Sequence, residues 1–407
     1  MKRAVVVIPT YNEASTIGNL VRHLVDVTFP ETGWDCHVLV VDGASPDGTA
    51  EVVRSAQAGR PNLHLLVEEK KEGLGAAYFK GFAYAETTLN ADVLIEFDGD
   101  FQHPPESIPL MLDQIDSGAD LVLGSRWKKN GGYPKNWELS RLLFSVVGGL
   151  VTRILLFFPS KALFQVTDPT TGLKATRVDG PYRRLHFETF MSKDFGYKIE
   201  MLFRLAKANA VIREIPLKFQ TRGAGESKMT GQTPWEVFHT VFLLRWRDKP
   251  TRRFLKFASV GFSGVLVNSV MLEVFVRTPV GSTLAAWFSS QTTDPFWGFL
   301  AKPAGWAAGL AVECSIVNNF VWNNIWTFRH HRSTDLGRLV GRFLKFNLLS
   351  VGSIILQFFT VGLATHALGN TVWIRQLALI LTIGLLIVPL NWFLYNKVVW
   401  KKRGKEL

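Results

Sequence analysis

Apolar residues fall in two different patterns along this chain. Over about the first 230 positions they come in short runs separated by amphipathic stretches. Runs at 4–8, 37–41, 63–68, 93–97 and 120–124 predict strands, and the stretches at 14–25 and 48–58 predict helices between them. Such alternation predicts an α/β fold with a doubly wound, mostly parallel sheet, whose ligands sit beyond the carboxyl ends of the strands. From about Phe254 the pattern lengthens. Stretches at 255–276, 303–326, 343–366 and 373–395 each hold about 20 residues or more, enough to span a bilayer, and predict four transmembrane helices. Residues 1–232 thus read as a head domain, 233–252 as a juxtamembrane helix and linker, and 253–407 as a membrane domain.

Two further stretches sit between these patterns. Residues 139–158 are nearly all apolar but are interrupted by Arg141 and Arg153, and 233–246 carry a similar mixture. A fifth span at 139–158 would strand the downstream motifs outside. Helices lying on the cytosolic leaflet are expected instead, with ordinary core helices as the alternative. The membrane part also repeats itself. Arg253-Phe-Leu-Lys-Phe257 matches Arg342-Phe-Leu-Lys-Phe346, and Asn319-Phe-Val-Trp-Asn-Asn-Ile-Trp326 resembles Asn391-Trp-Phe-Leu-Tyr-Asn-Lys-Val398. Two helical hairpins of like origin account for both.

Charge adds orientation. The net charge is +12, but its densest clusters flank the apolar segments rather than forming one basic face. Arg245, Arg247, Lys249, Arg252 and Arg253 precede the first span; Arg329, Arg332, Arg338 and Arg342 lie between the second and third; Lys401, Lys402 and Arg403 follow the last. Basic residues beside spans mark the cytoplasmic side, so the head and both termini are expected in the cytoplasm, with loops 277–302 and 367–372 outside. No nucleic-acid partner is expected. Cys36 and Cys314 offer no disulfide framework or metal cluster. No secretory leader is expected ahead of the first strand.

The candidate chemistry lies at predicted strand ends. Asp98-Gly-Asp100-Phe-Gln102 follows the strand at 93–97. Two carboxylates this close are costly to desolvate unless a cation joins them, and their hard oxygens, with the Gln102 carbonyl, suit Mg²⁺ or Mn²⁺. Pro9-Thr-Tyr11-Asn-Glu13 and Val40-Val-Asp42-Gly-Ala-Ser-Pro-Asp47 end the first two strands. They supply a ring able to stack on a nucleobase and carboxylates able to accept from base or ribose. Asp47 reads as a turn and helix-cap residue and is left out of the site. Gly73-Leu-Gly75-Ala-Ala-Tyr78 fails the dinucleotide fingerprint, because Tyr78 holds the third glycine position. Arg126, in Gly124-Ser-Arg126, ends another strand, and Arg222 and Lys228 flank a glycine-rich segment suited to gripping a diphosphate. His103 reads as structural.

Together with Asp168-Pro-Thr-Thr-Gly172 and Gly225-Glu-Ser-Lys228, these motifs resemble those of GT-A fold glycosyltransferases, and within them the dolichyl- or polyprenyl-phosphate mannose synthases. The resemblance covers most of residues 1–230. It implies nucleotide-sugar contacts by Pro9, Tyr11, Glu13, Val40, Asp42, Asp98, Gly99 and Asp100, and phosphate contacts by Arg126, Arg222 and Lys228. It also implies metal binding by Asp98, Asp100 and Gln102, with Asp100 and Arg126 the residues nearest the chemistry. Two departures stand out: Gly43 occupies a position where relatives often carry a second acidic residue, and Gly99 one where alanine is usual. The membrane part resembles the GtrA-like four-helix domain, whose task reads either as anchoring or as helping glycolipid across the bilayer. In its second span Glu313, Asn318, Asn319, Asn323 and Asn324 are unusually polar for that depth.

The expected reaction is inverting transfer of mannose from GDP-mannose to a polyprenyl phosphate, dependent on Mn²⁺ or Mg²⁺. The acceptor phosphate, with a second pKa of about 6, is already anionic at neutral pH and needs no strong general base. The alternatives are a polyprenyl-phosphate glucosyltransferase using UDP-glucose and a glycolipid translocator whose head only binds nucleotide-sugar.

Overall fold

The computed structural model describes residues 1–134, 136–158, 160–221, 233–291, 303–328, 335–368 and 371–394. They divide into two compact units, Met1–Trp246 and Arg247–Leu407.

The first unit is built on seven strands: β1 (Arg3–Thr10), β2 (Asp35–Asp42), β3 (Leu63–Val67), β4 (Val93–Glu96), β5 (Leu121–Ser125), β6 (Lys174–Arg177) and β7 (Ile212–Pro216). They lie in the order β3-β2-β1-β4-β6-β5-β7. β1 pairs in parallel with β2 and β4, β2 with β3, and β5 with β7. β6 runs antiparallel between β4 and β5.

Five of these strands were expected. β6 and β7 were not, for physical reasons. β6 is only four residues, Lys-Ala-Thr-Arg, and buries Lys174 and Thr176 beside Ala175, so it carries no apolar signature. β7 ends on Pro216, which a sheet edge tolerates because no ladder hydrogen bond is lost there.

Alternation along the inner strands sends side chains to two hydrophobic layers. Ala4, Val6, Ile8, Val38 and Val40 join Ile17 and Leu20 of α1 (Ala14–His23), Val53 of α2 (Thr49–Ala56), and Ile108 and Met111 of α4 (Ser107–Asp116). On the other side Val5, Val7, Leu39 and Val41 pack on Tyr78 and Phe82 of α3 (Leu74–Thr87) and on Tyr197 and Leu202 of α7 (Gly196–Lys207). α3 approaches the sheet closely because residue 81 is glycine: a Cβ there would stand 2.5 Å from a Val7 methyl.

α5 (Leu139–Phe157), the short α6 (Ala162–Gln165) and α8 (Thr233–Arg247) complete the unit. α5 buries Leu156 and Phe157, and α8 buries Thr240, Val241 and Leu244. Their opposite faces are apolar and exposed. Leu139, Leu143, Val147, Val151 and Ile154 form one such row, and Trp235, Phe238, Phe242 and Trp246 form the other, with Trp235 71% exposed. Each helix thus both joins the core and presents a second hydrophobic stripe.

The second unit is helical: α9 (Lys249–Arg277), α10 (Pro279–Gln291), α11 (Pro303–Trp322), α12 (Leu336–Leu368), α13 (Val372–Thr382) and α14 (Val388–Leu394). The Asp248 carboxylate accepts from Thr251 N at 3.1 Å and, with Pro250 in the first turn, fixes the start of α9. α11 continues into a π-helical turn, Asn323–Thr327, and another, Ile383–Ile387, links α13 to α14.

Among the described residues three helical segments are long and apolar enough to cross a membrane: Lys249–Phe275, Leu336–Leu356 and Val372–Leu394. Four were expected. The fourth expected stretch forms α11, 20 residues long, whose apolarity is diluted by Glu313, Asn318 and Asn319. The expected outer loop at 277–302 instead begins as a helix, α10. α9 and α11 pack tightly. A Cβ on Gly264 would fall 2.3 Å from Asn319 Oδ1, and Ser315 Oγ donates to Gly264 O at 2.8 Å. Small residues that admit close backbone approach are the usual device of membrane helix pairs.

Candidate active site

The carboxyl ends of β1, β2, β3 and β4 share one edge of the sheet, because all four are parallel. At β1, Tyr11 carries Lys71 Nζ 4.0 Å from its ring centroid. Glu13 is buried; its N–H donates to Thr49 Oγ1, and Thr16 Oγ1 donates both to its carboxylate and to Gly99 O. Through Thr16 the β1 loop is tied to the loop after β4. Pro9 is half-buried in β1, and the Val40 side chain lies wholly in the hydrophobic layer, so only its backbone faces the edge.

Asp42 is fully buried. Its carboxylate accepts from Thr10 Oγ1 at 3.2 Å, from Ser45 Oγ at 2.6 Å and from Ser45 N at 2.9 Å. A carboxylate has about four acceptor sites, so these three bonds hold the loop after β2 and leave room for a fourth from a ligand. Asp47 accepts from Ala14 N, Thr49 N and Thr49 Oγ1, as a turn residue does.

After β4, Asp98 and Asp100 stand on either side of Gly99. Asp100 is 3% exposed and its Oδ1 accepts from Gln102 N at 3.0 Å. That tight turn places Phe101 at φ +61°, a left-handed conformation rare for a bulky residue. Such strain persists only where the surroundings enforce it, and it clusters at functional sites. The Asp98 side chain is more open, at 34% exposure. Its Oδ1 lies 3.5 Å from Lys198 Nζ and its Oδ2 3.5 Å from His103 Nε2. His103 is fully buried, and its Nδ1 accepts from Asp98 N at 3.2 Å. Nε2 therefore carries the hydrogen, and though 3.5 Å from Asp98 Oδ2 it makes no hydrogen bond among the described residues. Burial pushes this imidazole below its ordinary pKa, against the opposing pull of Asp98. Gln102 Nε2 donates to Gln220 O at 3.3 Å, which fixes the amide with its carbonyl oxygen pointing the other way.

Arg126, past β5, makes a two-point ion pair with Asp168: Nε to Oδ2 at 2.6 Å and Nη2 to Oδ1 at 2.7 Å, with Nη2 also donating to Thr170. Burial works against this charge and Asp168 outweighs it, so the guanidinium is held above its usual pKa. Nη1 reaches Ser145 at 3.4 Å. The pair joins Asp168-Pro-Thr-Thr-Gly172 to Gly124-Ser-Arg126, and one orients the other. Arg222 and Lys228 lie outside the described residues.

Three residues near this edge were not anticipated. Lys198 comes from α7, about 100 positions from its partner, and no local pattern announces it. Lys71 and Glu68 were within reach of the strand-end rule, since Glu68 follows β3 directly.

Known proteins resemble both parts of this chain. Residues 5–176 match glycosyl transferase family 2, and residues 292–400 match the GtrA/DPMS transmembrane domain. The dolichol-phosphate mannosyltransferase of Pyrococcus furiosus is 32% identical over 354 residues, 87% of this chain and 88% of that one. The undecaprenyl-phosphate mannosyltransferase of Micrococcus luteus is 38% identical over 60% of this chain and 93% of its own. The polyprenol monophosphomannose synthase of Mycolicibacterium smegmatis is 33% identical over 59% of this chain and 86% of its own. The chain is thus a glycosyltransferase with a membrane domain, and it belongs to the family of the polyprenyl-phosphate mannosyltransferases.

Proposed function

We propose that this enzyme moves mannose from GDP-mannose to a polyprenyl phosphate, with inversion, on the cytoplasmic face of the membrane. The observation that carries the reading is the pair Asp98 and Asp100 at the end of β4, held by the strained turn at Phe101 beside the β1 loop. The donor set fits a divalent cation. Two carboxylates and the Gln102 carbonyl are all hard oxygens, and the Asp98 carboxylate is part-exposed, 3.5 Å from Lys198 and His103. Asp98, Asp100 and Gln102 would hold the ion, which when bound supplies Lewis-acid stabilisation of the leaving diphosphate.

The chain's own residues do the rest. Tyr11, Glu13 and the backbone at Pro9, Val40 and Gly99 hold the nucleotide at the sheet edge. Arg126, locked by Asp168, presents Nη1 to phosphate oxygens without rotamer freedom to lose. Arg222 and Lys228 add charge on the diphosphate. The acceptor phosphate oxygen bonds to the anomeric carbon as its bond to GDP breaks from the opposite face. No proton need leave the nucleophile first, since phosphate monoesters are largely dianionic near pH 7.

The exposed stripes on α5 and α8 support docking of the head against lipid, where the acceptor's tail stays in the bilayer. The catalytic domain would end near residue 232, with 233–252 as the interfacial connection and both termini cytoplasmic. A transfer assay tests the reading: purified full-length protein, radiolabelled GDP-mannose and a polyprenyl phosphate, with and without Mn²⁺. Label should enter the lipid fraction only with the metal. Transfer from UDP-glucose but not from GDP-mannose would overturn the donor.

A further inference from the structure

Asp42 sits at the sheet edge, accepting from Thr10 and Ser45. A second carboxylate arrives at the same corner from the next strand. Glu68 follows β3, and its N–H donates to Asp42 O at 2.8 Å, so its position is fixed by the sheet itself. Its side chain is 2% exposed, with Oε1 accepting from Lys80 Nζ at 2.8 Å. Oε2 turns toward Gly43: a Cβ built there would meet it at 3.5 Å, with Thr10 O at 3.5 Å and a Tyr11 ring carbon at 3.6 Å. Position 43 has no side chain, and the Glu68 carboxylate comes up against its backbone. The corner beside Tyr11 therefore offers acceptors, a carboxylate and a carbonyl. Two lysines stand at this corner and reach solvent, Lys71 over the Tyr11 ring and Lys80, which pairs with Glu72 as well as with Glu68.

We propose that Glu68, reaching past Gly43, reads the nucleobase and selects guanine. A carboxylate demands donors, and guanine presents two adjacent ones, the N1 imino and N2 amino groups. Uracil presents a single imino group flanked by two carbonyl oxygens, which a carboxylate repels. This assignment rests on the nucleotide-sugar reading above and deepens it, naming the residue that makes the donor a guanine nucleotide.

Isothermal titration of GDP, IDP and UDP into the full-length protein with Mn²⁺, as wild type and as Glu68→Gln, tests it. IDP lacks only the N2 amino group. Wild type should bind GDP about tenfold or more tighter than IDP, the size of a hydrogen bond to a charged group. In Glu68→Gln, which keeps the shape, that ratio should fall toward one while UDP affinity stays within about twofold. A wild type that does not distinguish GDP from IDP overturns the proposal without any variant. So does a Glu68→Gln protein that keeps the wild-type ratio, even if all three affinities fall together. A wild type that binds no GDP overturns the donor reading as well, so the two failures are told apart.

Discussion

The two units bury polar groups in opposite ways. In the head, buried charges are held by other protein groups: Arg126 by Asp168, Arg204 by Glu200 at 2.6 Å, and Glu96 by Tyr197 Oη at 2.6 Å. In the membrane unit the buried polar groups are neutral carboxamides and hydroxyls. Asn319, Asn323, Ser350, Ser353 and Asn391 line a cavity of about 70 Å³, and Asn323 Oδ1 and Asn391 Oδ1 have no protein partner. Its ionisable Glu313 is engaged by the Asn347 amide. The difference teaches where to look for chemistry. Catalysis on phosphates needs charges whose positions are over-determined, and among the described residues the head supplies them. The membrane unit carries polarity without fixed charge in its cavity, suited to packing helices and holding water.

The contrast breaks hardest at Asp100. If the head's charges serve transfer, Asp100→Asn should lower the rate by more than about 100-fold, since loss of an outer-shell partner alone costs 10- to 100-fold at metal sites. Its unfolding midpoint should barely move, because Asn keeps the Gln102 turn. Radiolabel transfer and thermal unfolding on the same preparation separate the two effects. Asp168→Asn makes the complementary case. It strands the buried Arg126 charge, and removing one partner of a buried pair typically costs about 3–5 kcal/mol. Denaturant unfolding followed in the head should show that loss together with lost transfer. A variant that loses activity at full stability would mean that Asp168 acts on substrate rather than on Arg126.

Much of this was legible beforehand, and the failures share a cause. The strands with apolar runs, the acidic pair after β4 and the stripes at 139–158 and 233–246 are local patterns, and local patterns survive in sequence. β6 was hidden because its buried positions are Lys174 and Thr176, whose partners come from elsewhere in the fold. Asp42 carried the right residue type for base recognition. Its bonds to Thr10 and Ser45 depend on how the loop closes, which spacing does not encode. Lys198 beside Asp98 joins α7 to β4 across the sheet and has no signature in either segment. The stretch at 303–326 forms helix α11 and its π-helical turn as expected, although its Glu and Asn residues lower its apolarity.

Lys174 sharpens the comparison by pH. Burial pulls its folded pKa from 10.5 down to about 8, with Glu96 opposing. Between those values the unfolded chain holds a proton that the folded head has released, so stability from this group rises with pH. Below about pH 8 the cost of the buried charge is complete; above 10.5 it is gone. Lys174→Met removes the titration. The difference in unfolding midpoint between variant and wild type should change steadily from pH 8 to 10, the wild type gaining on the variant. A difference independent of pH would show that Lys174 titrates normally.

The smallest effect belongs to the membrane unit, and its sign is the point. Asn323 is 1% exposed and stands at the start of a π-helical turn, with its Oδ1 aimed where no protein donor reaches. An unpaired buried acceptor costs about 1–3 kcal/mol, so if the cavity were dry, Asn323→Leu would stabilise the protein. The lining argues for a wet one. A water needs two to four polar partners and room for a probe of its size, and about 70 Å³ ringed by Asn268, Asn319, Asn323, Ser353 and Asn391 meets both conditions. Asn323→Leu should therefore lower the unfolding midpoint in detergent slightly, by the worth of about one hydrogen bond, ~1 kcal/mol. Asp168→Asn should cost several times more. A rise in midpoint would mean that the membrane unit keeps an unsatisfied carboxamide at a loss, and that its polarity serves something other than holding the helices together.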